Sequence, residues 1–446
     1  MFNKVLIANR GEIAVRVIRA CREMGIKTVA VYSTADRSAL HAQIADEAVC
    51  IGGAATKDSY LNYKAIIAAC EITGANAIHP GFGFLSENAT FARTCERCGI
   101  TFIGPSPDSI DMLGDKAAAK SAMKAAGVPV IPGSDGAVPS MEEAIRLAEE
   151  EIGYPLMVKA SAGGGGRGIR LVERREDLER AVTEAKQEAK NYFGDDSIYM
   201  ERFIVNPKHI EFQILADKSG NVVHLGERDC SMQRRNQKVL EETPSTVMTE
   251  DLRRRMGEAA VNAAKVCGYY NAGTIEFLLD EKGEFYFMEM NTRIQVEHSI
   301  TELVTGIDLV KMQIKIADGQ PLPFKQEDIS LRGHAIECRI NAENPRENFR
   351  PCPGEIKALH TPGGPGIRID SSAYQGYVIT PYYDSMIAKL IAYAPTREEA
   401  IMKMKWALSE FIVEGVDTNI DFQLELIRDP AFEKGNYDIG YLGRRK

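Results

Sequence analysis

Polar and apolar residues alternate at positions 274–279 and again at 285–291, the period of a half-buried strand, and Lys282-Gly283 between them reads as a two-residue turn. Such a turn sets Glu276 directly across the hairpin from Glu289, and a bulge would shift them by one place. The same period puts Asn291 on the face of Glu289 and continues through Arg293, Gln295 and Glu297, while Phe285 and Phe287 lead the strand into the interior. Near the start, short apolar runs at 4–8, 28–32, 77–79 and 101–103 predict strands. Helical stretches separate them, the first with a stripe of Ile13, Val17, Cys21 and Met24. Strands alternating with helices over roughly the first 110 residues predict a parallel, doubly wound sheet.

Further along, residues 116–126 form an alanine-rich helix with Lys116, Lys120 and Lys124 on one side, stopped by Gly127 and Pro129. Ser140 and Glu143 make a capping box for a helix ending at Gly153. Two strands, 154–159 and 169–172, flank the run Gly163-Gly164-Gly165-Gly166-Arg167-Gly168. His209, Glu211 and Gln213 share one strand face and Ile210, Phe212 and Ile214 the other, so a polar wall backs onto a core. His209 is read equally as a ligand contact or a structural residue. The stretch 226–242 crowds Arg228, Arg234, Arg235 and Lys238 against Asp229, Glu241 and Glu242. It fits a solvated face or the basic side of an anion site. From Gly333 short strands broken by Pro and Gly, including Glu337 and Arg339, predict a small α+β domain. Thr396 and Glu399 cap its closing helix.

Length and charge narrow the function. A chain of 446 residues exceeds one core, so two or three domains are expected. A net charge of -9 gives no basic field for nucleic acid or an anionic membrane. The N-terminal apolar run is too short for a signal peptide or a membrane span, which predicts a cytoplasmic protein. Nine cysteines favour free thiols, and the single pair Cys95 and Cys98 lacks the second pair that a zinc site requires.

The candidate chemistry sits on the hairpin. Two facing carboxylates repel unless a proton or cation lies between them, and a few oxygen ligands select magnesium, with nucleotide phosphates completing the shell. Consecutive glycines let backbone N–H groups close over those phosphates, and Lys159 at the root of the loop adds a point charge. The glycine run joins strand to strand and lacks the Gly-Lys-Ser/Thr of a Walker loop, while the first βα turn lacks the GxGxxG of a dinucleotide site. Met402-Lys403-Met404 imitates a biotin attachment site, but Ile401, Met404, Leu408 and Phe411 form a helical core stripe instead of the exposed turn such a lysine needs.

These pieces together resemble the biotin carboxylase family of ATP-grasp enzymes, end to end. The motifs are KVLIANRGEIAVRVIRA, HPGFGFLSEN, FIGP, GDKAAAK, VKASAGGGGRG, ERDCSMQRR, GTIEF, EMNTRIQVEH, GHAIECRINAE and PYYDSMIAKLI. The resemblance implies a mixed α/β and α+β multidomain chain. Its parts are an N-terminal doubly wound domain at 1–114, an ATP-grasp domain at 115–330 with a mobile lid at about 131–203, and a C-terminal domain at 331–446.

It also implies residue roles. Lys116, Lys159, the glycine loop (Gly163 to Gly166 and Gly168), Glu201, Arg202, Phe203, Ile204, His209, Gln233 and Asn236 would hold ATP. Glu276, Glu289 and Asn291 would bind two magnesium or manganese ions. Lys238, Arg293, Gln295 and Val296 would hold bicarbonate, Glu297 would be its base, and Arg339 would stabilise the biotin enolate. The implied reaction is ATP-dependent carboxylation of biotin on a separate biotin carboxyl carrier protein, in a homodimer working with carboxyltransferase subunits. That is the first half-reaction of acetyl-CoA carboxylase, or of a propionyl-CoA, pyruvate or other acyl carboxylase. Two positions depart from the family pattern: Asn236 where His is frequent, and Ser299 where Pro commonly follows, a change expected to loosen the loop after Glu297.

Overall fold

The computed structural model describes residues 2–160, 169–193 and 196–445. The opening strand Lys4–Ile7 leads into the helix Gly11–Glu23, which buries Ile13, Val17 and Cys21 against it. Five strands run parallel in the spatial order Glu47–Gly52, Lys27–Ser33, Lys4–Ile7, Ala77–His79, Thr101–Phe102. The order reverses direction at the first strand, as a doubly wound sheet does. The edge strand Glu47–Gly52 is absent from the sequence reading; its apolar run Ala48-Val49-Cys50-Ile51 is short, and most of its residues are at least partly exposed.

The chain divides into two compact units. The larger comprises Met1–Val128, Lys208–Phe277 and Glu289–Lys446. A second sheet has eight strands in the order Phe285–Asn291, Asn271–Leu279, Lys208–Ala216, Val222–Arg234, Gln237–Thr243, His334–Asn341, Met386–Ala394, Ile367–Ser371. The segment after Gly333 therefore continues this sheet, by antiparallel pairing of His334–Asn341 with Gln237–Thr243.

Alternation along these strands sorts their side chains by chemistry. Leu240, Ile336, Cys338, Ile340 and Leu390 join one core with Ala400, Met404 and Leu408 of the helix Arg397–Glu410. On the other face Ala335 and Ile391 pack with Ile300 and Val304 of the helix His298–Thr305. Glu241, Glu337, Arg339 and Lys389 share this second face, since Glu241 pairs with Glu337, Glu337 with Ile391 and Arg339 with Lys389. The sheet thus places a row of charges beneath the entry to that helix.

The smaller unit, Pro129–Pro207 with Leu278–Met288, is built on three antiparallel strands in the order Ile169–Val172, Leu156–Ala160, Ile198–Arg202. The helices Met141–Leu147 and Leu178–Phe193 contribute Leu147 and Val182 to its core, beside Leu156, Val158 and Met200. Ser140 caps the first of these, its hydroxyl accepting from Glu143 N at 3.2 Å.

The hairpin turn differs from its sequence reading. Asp280 N donates to Glu284 O at 2.9 Å and Gly283 N to Asp280 O at 3.2 Å, so Glu281, Lys282 and Gly283 form a three-residue loop. Asp280 Oδ1 accepts from Lys282 N and Glu284 N, and Gly283 takes a φ of +81°. This aspartate-nucleated loop is favoured over the tighter turn because Asp bonds the backbone two residues on and glycine supplies the left-handed residue. The direct opposition of Glu276 and Glu289 is therefore not dictated by the turn. All nine cysteines are free. No helix among the described residues is long and apolar enough to cross a membrane.

Candidate active site

The residues singled out on the hairpin converge with the polar faces of neighbouring strands on one buried ammonium. Lys238 Nζ donates to Glu211 Oε2 at 2.6 Å, Glu276 Oε1 at 2.9 Å and Glu297 Oε1 at 2.7 Å, spending all its protons on carboxylates. Burial opposes its charge, but Glu211, Glu297 and Glu276 outweigh that and hold its pKa well above the ordinary lysine value. Glu276 is tied further: Asn291 Nδ2 and Gln295 Nε2 both donate to its Oε1, at 2.8 and 2.7 Å, and His209 Nε2 lies 3.0 Å from its Oε2. The strand Lys208–Ala216 is buried on both faces, so its polar wall of His209, Glu211 and Gln213 is interior, not solvated. Gln233 Nε2 donates to His209 Nδ1 at 3.0 Å.

Glu297 precedes the helix His298–Thr305 and is nearly fully buried. Its Oε1 takes Lys238 and its Oε2 takes Arg339 Nη2 at 3.0 Å. Burial raises its pKa, yet Lys238, Arg339 and Arg228 prevail, leaving it well below the usual carboxylate range. Arg339 Nε also donates to Glu241 Oε1 at 2.6 Å. At the edge of the group, Arg293 Nε donates to Glu87 Oε2 and its Nη2 to Asn291 Oδ1, both at 2.9 Å. Glu289 is half-buried on the same strand as Asn291. Two carboxylate-rich triads lie within 4.8 Å of one another internally, His209 with Glu211 and Glu276, and Glu211 with Cys230 and Glu297.

The basic run 226–242 divides in two. Arg228 and Lys238 point inward, whereas Arg234 and Arg235 reach Asn348 at the surface. Arg235 and Asn236 have φ of +50° and +62° and form the two-residue tip between the paired residues Arg234 and Gln237. Asn at a left-handed position of such a turn is favoured by local geometry, which gives Asn236 a structural reason independent of any ligand. Arg228 has no exposed surface. Its donors go to Glu211, Gln213, Thr301, Thr274 and Gln295 at 2.6 to 3.3 Å, so it underpins the site from behind.

Other predicted residues lie in the smaller unit, where Lys159 pairs with Glu201 and Arg202 Nε donates to Ile152 O at 2.6 Å. There Phe203 N bonds Pro155 O at 2.9 Å, and Ile204 is buried. The glycine positions 163–166 and 168, and the side chain of Lys116, lie outside the described residues. Ser299, expected to loosen the loop, is instead buried in the helix, with its hydroxyl donating to Asp370 Oδ2 at 2.9 Å. Sequence reasoning gave no role to Glu87, Arg228, Glu337 or Lys389. For Glu87 and Lys389 the only available signal was their place inside the motifs HPGFGFLSEN and PYYDSMIAKLI.

The facing pair Glu241 and Glu337 makes a testable electrostatic statement. They sit opposite each other in antiparallel strands, both fully buried, and neither Glu337 oxygen has a hydrogen-bond partner among the described residues. Burial, with the neighbouring carboxylates, pushes Glu241 up to about 7 and Glu337 well above the ordinary value. An acid raised on folding contributes stability that is complete below its unfolded pKa and is lost as pH rises through the folded one. The urea midpoint of the wild type is therefore expected to fall between pH of about 5.5 and about 8.5, and Glu337→Gln to lessen that fall. Equal slopes for the two proteins would show that Glu337 ionises freely.

Comparison with known proteins accounts for this arrangement. Residues 1–110 match the biotin carboxylase N-terminal domain, 115–325 the ATP-binding domain of the carbamoyl-phosphate synthase L chain, and 337–444 the biotin carboxylase C-terminal domain. Biotin carboxylase 1 of Bacillus subtilis (strain 168) is 57% identical over 443 residues, covering 99% of this chain and 98% of its own. The biotin carboxylase subunit of a pyruvate carboxylase is 55% identical with a TM-score of 0.92, over 99% of this chain and 98% of that one. The biotin carboxylase domain dimer of Hydrogenobacter thermophilus 2-oxoglutarate carboxylase, solved with MgADP, ADP and bicarbonate, is 54% identical with a TM-score of 0.88. It is covered over 99% of this chain and 97% of its own. Three matched domains in this order, with majority identity from end to end, make the chain a member of the biotin carboxylase family, ATP-grasp ligases that carboxylate biotin at the expense of ATP.

Proposed function

We propose that this chain carboxylates biotin carried on a separate biotinyl carrier protein, using ATP and bicarbonate through carboxyphosphate, as the first half-reaction of acetyl-CoA carboxylase. The observation that carries the reading is the placement of Glu297 between two cations, Lys238 on one oxygen and Arg339 on the other. In that grip the carboxylate is charged but weakly basic. An entering bicarbonate competes for Lys238, and release of that bond restores to Glu297 the basicity needed to take the bicarbonate proton as its oxygen attacks the γ-phosphorus. Carboxyphosphate forms as ADP leaves. It then gives CO₂ and phosphate, the phosphate takes the ureido proton of biotin, and Arg339 steadies the resulting anion while the ureido nitrogen captures CO₂. Arg293, Gln295 and the Val296 backbone complete the bicarbonate contacts.

Glu276, Glu289 and Asn291 offer carboxylate and amide oxygens, the ligand type magnesium or manganese takes, and an ion there would displace the donors now on Glu276 Oε1. Held by these residues, such ions would supply charge neutralisation at the phosphoryl oxygens. Lys116, Lys159, Glu201 to Ile204, His209, Gln233, Asn236 and the glycine loop are assigned to ATP, the loop excluding water from the intermediate.

The family dimerises in at least one relative, the Hydrogenobacter thermophilus domain. We assign the same state to this chain, in the cytoplasm, with carboxyltransferase subunits as further partners. The purified chain is expected to release ADP only with magnesium, bicarbonate and biotin together, and release indifferent to bicarbonate would overturn the reading. The acyl acceptor is tested separately: the biotinylated protein that co-purifies should belong to an acetyl-CoA carboxylase, and a propionyl-CoA or pyruvate carboxylase carrier would transfer the assignment to that enzyme.

A further inference from the structure

The loop that carries the proposed base has almost no secondary structure to hold it, and its backbone is fastened by side chains instead. Two successive carbonyls are gripped from below. Gln295 O accepts from His298 Nδ1 at 2.7 Å, and Val296 O accepts from Lys389 Nζ at 2.7 Å. His298 is fully buried, and burial with the cations Lys389, Arg16 and Arg368 holds its pKa well below the ordinary value, so its Nδ1 bears the single ring proton and donates.

Lys389 has no exposed surface and lies on the strand Met386–Ala394, directly across from Arg339. These cross-strand neighbours therefore reach the same dipeptide from one face of the sheet. Arg339 takes the Glu297 carboxylate and Lys389 takes the carbonyl just before it. A buried ammonium is tolerated only with compensation. It is provided by Glu12 Oε1 at 3.3 Å and Asp370 Oδ2 at 3.6 Å, while Ser299 Oγ accepts a second Lys389 proton at 3.1 Å. Asp370 is itself fixed by Arg368 and by the Ser299 hydroxyl. Ser299 is thus part of this support: it joins the lysine to its counter-ion and ties the first turn of the helix to both.

We propose that Lys389 is a positioning residue for biotin carboxylation, an ammonium that pins the Val296 carbonyl and so sets Gln295 and Glu297 for bicarbonate. The proposal rests on the function proposed above. Without that hydrogen bond the carbonyl can rotate, and the side chains on either side move with it; displacement of about 1 Å at a reacting group costs on the order of 100-fold in rate.

The test is Lys389→Met in the full-length chain, with the double variant Lys389→Met, Glu12→Gln to remove the acid that the first change leaves alone. Ser299→Ala serves as a milder third variant, because it leaves the lysine in place. Both lysine variants are expected to lose 10- to 100-fold in turnover and to raise the KM for bicarbonate at least severalfold, with the KM for ATP within about twofold of wild type. Amide hydrogen exchange across 294–301 should quicken in both, and less in Ser299→Ala. A purely structural role would lower thermal stability and leave folded enzyme with wild-type KM for bicarbonate and unchanged exchange in that segment; this result overturns the proposal. A wild-type chain without bicarbonate dependence would reject the proposed function alone, and the exchange measurement would still decide whether Lys389 holds the loop.

Discussion

Replacing Glu297 by Gln is expected to lower biotin- and bicarbonate-dependent ADP release by about 100- to 10,000-fold while ATP binding stays within a few-fold of wild type. The amide keeps the volume of the side chain but cannot accept the bicarbonate proton. It also disturbs its surroundings in a definite way. The carboxylate offers an oxygen to Lys238 and another to Arg339, at 2.7 and 3.0 Å. An amide has one oxygen, so its NH₂ must be turned toward one of two cations that have no acceptor to give. We expect the variant to be less stable by roughly 1–3 kcal/mol. Turnover and denaturation thus separate two consequences of one change. Titration with a non-hydrolysable ATP analogue checks that the nucleotide site survives, and single-turnover kinetics with bicarbonate measure the chemical step. Residual turnover within threefold of wild type would remove Glu297 from the role of base.

Much of this constellation was legible because strands repeat every two residues. The alternation at 285–291 put Glu289 and Asn291 on one face, and that at 209–213 picked out His209, Glu211 and Gln213. The strand ends at Asn291, however, and Arg293, Gln295 and Glu297 follow in an irregular loop that strand period does not place. What alternation cannot supply is register between strands. Glu211 lies opposite Arg228 because of an irregularity between His224 and Glu227, and Glu241 lies opposite Glu337 in a regular pairing of strands almost a hundred residues apart. No local pattern announces such a bulge, and a single-residue slip sends every side chain to the opposite face. The same limit applies to the hairpin turn, where Asp280 took up a three-residue loop that Lys282-Gly283 alone did not reveal. Lys389 is harder still. Its strand is apolar on both sides of it, so its sequence context reads as core, and only the tertiary arrangement supplies Glu12 and Asp370 to make a buried charge tolerable.

Arg228 shows the largest consequence of that missing register. Within the run 226–242 its composition fits a solvated face as well as an anion site, yet it is one of the largest fully buried side chains in the molecule. Its Nε goes to Glu211 Oε1 at 2.6 Å, Nη1 to Gln213 Oε1 at 2.8 Å and Thr301 Oγ1 at 2.9 Å, and Nη2 to Gln295 Oε1 at 2.6 Å and Thr274 Oγ1 at 3.3 Å. A planar fork with every donor used fixes acceptors on two strands, on the loop before Glu297 and on the helix after it. Arg228→Met is therefore expected to destabilise the larger unit by about 3–5 kcal/mol, because Glu211 stays buried with one of its two cations gone and two amide oxygens lose their donors. Arg228→Lys should recover only part, since a single ammonium cannot span acceptors set for a guanidinium. Urea denaturation measures the loss. A second readout distinguishes support from mere stability: Gln295 is shared between Arg228 and Glu276, so folded Arg228→Lys should also show a raised KM for bicarbonate. A loss of under about 1 kcal/mol in Arg228→Met would mean that water or rearranged neighbours satisfy those acceptors, and that the site does not depend on this buried guanidinium for its shape.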